Sequence, residues 1–217
     1  MKGLLVKDFK LIKEQKNFFF IIIAITASTV AFSDDTSFIL GFLPFVLSMF
    51  TLSTISYDEF DNGNAFLFTL PISRTGYTIE KYCLALMLGI SALVFATFLA
   101  IISSMLKGTA DVLEIVMAAV IVLPVLIVIQ AVMIPFHLKF GGEKGRLALI
   151  GVFGMFFIII AATVKAAEML GIDIQDITSH LPVASMGMMV TIMLVVAFII
   201  LLLSMRISNS IMNNKEF

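Results

Sequence analysis

Tryptophan is absent from this chain, cysteine occurs once, and long stretches carry no charge of either sign. Each gap excludes something. A lone cysteine, Cys83, forms no internal disulfide and no thiolate metal cluster. Only 13% of the 217 residues are Asp, Glu, Lys or Arg, where a soluble domain carries about a quarter. No GxxxxGK(S/T) loop is present, so the chain has no P-loop of its own for ATP, and no HExxH pair marks an intramembrane protease. His137 and His180 stand singly at the ends of apolar runs and read as interfacial polar groups, not as a metal site.

What is present is hydrocarbon. Hydrophobic residues make up 60% of the chain, and six runs hold no charged residue: Phe18–Phe32, Ser37–Ser56, Cys83–Leu106, Ile115–Phe136, Leu147–Val164 and Val183–Met205. A helix rises about 1.5 Å per residue, so runs near 20 residues cross the roughly 30 Å of a bilayer's hydrocarbon. The sequence therefore predicts an all-α polytopic membrane protein of six transmembrane helices, one domain over residues 1–217. Proton-driven carriers need ionisable groups at membrane depth, and these runs offer none.

An even number of spans puts both termini on one side. That side then holds Lys2, Lys7, Lys10, Lys13, Lys16, Arg74, Lys81, Lys139, Lys144, Arg146, Arg206 and Lys215, and the other only Lys107 and Lys165. This asymmetry predicts cytoplasmic termini. Residues 1–17 place Leu5, Phe9 and Ile12 at helical spacing among lysines, the pattern of an amphipathic helix lying in the headgroup layer. The segment Lys165–Pro182 mixes apolar and acidic residues and fits either short re-entrant helices on the outer face or an extended loop. Hydroxyls at helical spacing (Thr26 and Thr29; Ser48, Thr51 and Thr54) and the amide of Gln130 fit either a substrate path or helix–helix packing.

The longest charged interruption is Tyr57–Tyr82, YDEFDNGNAFLFTLPISRTGYTIEKY. Asp58, Glu59 and Asp61 suit the first turn of a helix reaching Leu70, because acids are favoured at a helix N-terminus. Pro71 breaks that helix, and Ser73 is the expected N-cap of a second one running through Lys81 into the next span. Apolar and charged residues on one element outside the membrane suggest a protein-docking surface.

The pattern YDE…G…F…TLPISR…Y…EKY resembles the cytoplasmic loop of short type-2 ABC exporter permeases, and the LPxSR core (Leu70, Pro71, Ser73, Arg74) is its most specific part. The basic start MKGLLVKDFKL and the six-span layout extend the resemblance over the whole chain. It implies a transmembrane subunit in the bacterial cytoplasmic membrane, not itself an enzyme, that pairs with separate subunits binding ATP and Mg. It also implies a second permease, as homodimer or heterodimer. The implied ATPase-coupling residues are Asp58, Glu59, Phe66, Leu67, Leu70, Pro71, Ser73 and Arg74. The implied cargo is an amphipathic or antimicrobial peptide, similar to phenol-soluble modulins, or a lipid-like molecule. No cofactor in this chain and no nucleic-acid partner are expected. The alternative is a membrane-embedded substrate-binding subunit of a vitamin importer.

Overall fold

Apolar side chains at every turn of a helix leave it no polar face, so each run must either enter lipid or pack on another such helix. The computed structural model describes residues 2–32, 37–60, 63–108, 111–141 and 186–215, with isolated positions between 144 and 165. All regular structure among them is helical: α1 Lys2–Glu14, α2 Lys16–Phe32, α3 Ser37–Glu59, α4 Gly63–Leu67, α5 Arg74–Lys107, α6 Val112–Phe140 and α7 Met186–Asn214.

Four of these, α3, α5, α6 and α7, are long and apolar enough to cross a membrane. Helices α1 and α2 meet at Gln15 with a bend of 67° and together make a fifth candidate. The predicted run Leu147–Val164 and the segment Lys165–Pro182 lie outside the described residues apart from isolated positions. The chain is thus a multi-pass membrane protein, with four spans or five among the described residues.

The spans form a bundle in which α3 packs on α5 and α6, and α7 on α6 and α5. Close approach of α3, α5 and α6 depends on Gly89. A Cβ there would stand 2.6 Å from Cδ2 of Leu126 on α6 and 3.3 Å from Cβ of Ser48 on α3. Outward faces are apolar, with Phe20, Phe32, Val94 and Phe98 all exposed, as lipid contact requires.

Three of the helices that extend beyond the apolar runs bear on the charged loop and its surroundings. The α5 helix has 34 residues, about 51 Å at helical rise, so its first turns project beyond roughly 30 Å of hydrocarbon. Ser73 caps it as expected, at φ −79°, its hydroxyl accepting from Gly76 N at 3.1 Å. The α6 helix carries on through His137 to Phe140, where the sequence suggested a loop.

The third extension corrects the reading of the charged loop. No single helix covers Asp58–Leu70. Instead α3 continues through Asp58 and Glu59, the chain breaks near Phe60, and α4 occupies only Gly63–Leu67. A side chain at the first residue of α4 would collide with Asp58 O, 2.7 Å from an added Cβ, so glycine is required at position 63. Asp61 lies outside the described residues; Asp58 and Glu59 therefore end one helix and do not begin another. At a helix C-terminus the dipole disfavours them, and each has recruited a cation.

Candidate functional site

Those cations converge on one end of the bundle, hereafter the basic end. Lys81, on the projecting part of α5, is wholly buried. Its ammonium meets Asp8 Oδ2 of α1 at 2.5 Å and Asp58 Oδ2 of α3 at 2.9 Å, and donates to Thr54 Oγ1 at 3.0 Å. Lys7 of α1 pairs with the other oxygen of Asp58. The Tyr77 hydroxyl donates to Asp58 Oδ2 at 3.0 Å. A buried charge is tolerated only when paired and hydrogen-bonded, and this network satisfies that condition for Lys81 and Asp58. It also ties α1, α3 and α5 to one another.

A second set of contacts adds α6 and α7. Lys215, just past α7, reaches Glu59 Oε1 at 2.6 Å and donates to Leu138 O of α6 at 2.9 Å. Arg74 Nη1 donates to Met212 O at 2.9 Å, Asn213 O at 2.7 Å and Lys215 O at 2.9 Å. A guanidinium at the carbonyl end of a helix also complements its dipole. Deeper in, the Tyr82 hydroxyl lies 2.5 Å from Ser204 and 2.8 Å from Ser208 of α7, while Ser204 donates to Ala131 O of α6.

The sequence-predicted loop residues divide by environment. Phe66 is 71% exposed, and Leu70, Pro71 and Ser73 are also exposed. Phe60, not among the expected site residues, is 72% exposed beside them. Leu67 turns inward and joins a core cluster with Leu4, Ile55, Tyr77, Leu138 and Met212. Arg74 is half-buried over the Phe68 ring and on the α7 carbonyls. Asp58 and Glu59 are held in ion pairs. What α4 and its flanks present outward is thus three large apolar side chains, Phe60, Phe66 and Leu70, while Leu67 turns into the core.

The hydroxyl stripe is interior. Ser48, Thr51 and Thr54 are fully buried on α3. Gln130 of α6 donates to Ser48 Oγ at 2.7 Å, and Ser48 passes its own proton to Phe45 O at 2.9 Å. Thr54 donates to Thr51 O at 2.8 Å. Together with Lys81 these residues make a polar seam from mid-helix down to the basic end. Thr26 is buried on α2 and Thr29 half-buried, and both hydroxyls donate to carbonyls one turn earlier on their own helix. No group of acids, cysteines and histidines among the described residues is arranged to hold a metal ion.

Among the cavities beside the described helices, two are large and apolar. One of about 500 Å³ lies between α6 and α7, lined by Val132, Pro135, Phe136, Leu203 and Ile207, with Lys139 at its edge. The other, about 390 Å³, lies between α3 and α6 and is walled by Phe45, Val122, Leu126 and Ile129. Both are almost wholly apolar.

Sequence reasoning missed the partners: Lys7, Asp8, Tyr77, Lys81 and Lys215. One signal was available. Asp8 is the only acid before Glu14 in a strongly basic flank, and it lies four residues after Leu4, on the same helical face. That face, Leu4 and Asp8, is the one buried against the bundle, while Phe9 of the Leu5–Phe9–Ile12 stripe stays exposed. Residues 3–213 match the family model described as ABC-2 family transporter protein. No curated protein and no solved structure gives a match.

Proposed function

The chain belongs to the ABC-2 transporter family, and on that premise we propose that it is the permease subunit of an ATP-driven exporter whose ATP is hydrolysed by a separate subunit. The observation that carries this reading is the exposure of three large apolar side chains, Phe66 on the short helix α4 and Phe60 and Leu70 on either side of it, between the projecting ends of α3 and α5. Large exposed apolar side chains outside the span-forming runs fit a protein partner better than water, and aromatic anchors are typical of such contacts.

In this reading the basic end faces the cytosol of a bacterium, and these three side chains dock as a patch on the ATP-binding subunit, which also holds Mg. Leu67 and Ser73 position the patch. Arg74, Asp58 and Glu59 act behind it: they bind α4 and its flanking helices to α1, α6 and α7, so movement of the ATPase reaches several spans as one body. The free stripe of α1 rests in the headgroup layer, where the Phe9 ring and the lysines suit an interface.

A second permease copy or sibling completes the pathway. Apolar cavity walls favour an amphipathic peptide or a lipid-like cargo, because they need desolvate no ion. The seam of Ser48, Thr51, Thr54 and Gln130, with Thr26 and Thr29 on the neighbouring helix, is the part of the path where α3 and α6 would separate. The family match favours this reading over a vitamin-binding importer subunit.

Co-purification tests the docking. Expressed with its ATP-binding subunit, the wild-type chain should bring that subunit down stoichiometrically. Phe66→Asp and Leu70→Asp should lose it while keeping the wild-type melting temperature. Retention of the subunit by both variants would end the proposal.

A further inference from the structure

The ion network at the basic end has one member that its partners do not serve. Asp8, Asp58 and Glu80 are buried together with Lys81, and Lys7 closes the cluster from the side. Three carboxyls thus face two ammoniums, leaving an excess negative charge in a place that water does not reach. Asp58 receives Lys7, Lys81 and Tyr77, and Asp8 Oδ2 receives Lys81. Glu80 receives nothing comparable.

Neither oxygen of Glu80 has a hydrogen-bond donor, and the nearest ammonium, that of Lys81, stands 3.7 Å away. Its residue is 0% exposed. The Asp8 carboxyl meets the same Lys81 ammonium, at 2.5 Å. Asp8 Oδ1 is likewise without a hydrogen bond, although Lys7 lies 3.2 Å from it. Two buried carboxyls gathered on one ammonium repel each other when both are charged, and low dielectric strengthens that repulsion. A hydrogen on one of them turns the repulsion into a hydrogen bond and satisfies two of the three orphan oxygens.

We propose that Asp8 and Glu80 form a proton-binding pair that latches α1 to α5. One proton, taken from solution, sits between Glu80 and Asp8 Oδ1; the remaining carboxylates then balance Lys7 and Lys81. As pH rises the proton returns to solution, two carboxylates oppose each other across the α1–α5 contact, and the latch loosens. The other charged groups around it are fixed by partners: Asp58 at the end of α3 by both lysines, Glu59 by Lys215, and His137 of α6 by its 3.4 Å contact with Ser56.

Infrared difference spectroscopy of the full chain in liposomes detects such a proton directly. The wild type should show the carbonyl stretch of a buried protonated carboxylic acid at neutral pH, disappearing on the alkaline side. Glu80→Gln should abolish that band, and Asp8→Asn should shift its frequency, because the acceptor of the hydrogen bond has changed. A wild type with no titrating band, or a band that survives Glu80→Gln, overturns the proposal. An unshifted band in Asp8→Asn overturns the sharing even where Glu80→Gln does not fold. The latch has its own readout: a spin label at Lys10→Cys in a Cys83→Ser background. Its mobility should rise with pH in the parent but not in Glu80→Gln, whose amide still donates to Asp8. An identical pH response in both overturns the latch.

Discussion

Lys81 bears more of the electrostatic load at the basic end than any other described side chain, since it meets Asp8, Asp58 and Thr54 from a buried position. Removing one partner of a buried pair leaves the others charged and unsolvated, at a cost of about 3–5 kcal/mol. Lys81→Met should therefore lower the thermal midpoint of the purified protein substantially. Arg74→Ala should cost less, because its carbonyl partners stay half-open to solvent. Comparing the two melting curves checks the ranking; equal midpoints would contradict it. None of this was legible from local sequence. Asp58 and Glu59 look like the start of a helix because acids favour that position, and only the folded chain brings Lys7, Lys81 and Lys215 to them. The lysines were visible only as a charge asymmetry, which gives their side and not their partners.

At the scale of elements, local signals served well where they act locally. Ser73 caps α5 and Asp111 caps α6, and each is the kind of short polar side chain that serves that role. Ser73→Ala should cost about 1 kcal/mol, read as a modest shift in urea or thermal midpoint with the bundle intact. Helix ends were less legible. Apolar runs mark where lipid lies, while α5 and α6 continue past it for several residues because buried partners at the basic end stabilise the extra turns. The tight spot at Gly89 was invisible too, since it depends on Ser48 and Leu126 from two other helices. Gly89→Leu should overpack this crossing and cost about 1–3 kcal/mol, with Gly89→Ala milder because the Leu126 methyl can move. Wild-type thermal stability in Gly89→Leu would show that the crossing is looser than its geometry.

For the whole molecule, composition and run length conveyed the class: a chain made for a membrane, helical in all the regular structure of its described residues. Four spans and a bent pair appear among the described residues, and Lys7, Arg74, Lys81 and Lys215 meet at one end of the bundle. The candidate site was half legible. Phe66, Leu70 and Pro71 are exposed, while Asp58, Glu59, Leu67 and Arg74 are held in ion pairs, the core and backbone hydrogen bonds. The sequence could not separate these groups because contact surface and frame share one 26-residue stretch. The account's central claim is that this patch receives the work of ATP hydrolysis from another chain. The most direct measurement is the ATPase rate of the reconstituted permease–ATPase complex with Phe66→Asp. An aromatic anchor worth about 2 kcal/mol or more predicts that permease-dependent stimulation falls by at least tenfold while the melting temperature stays put. Stimulation equal to wild type in a folded, assembled Phe66→Asp complex would contradict the account.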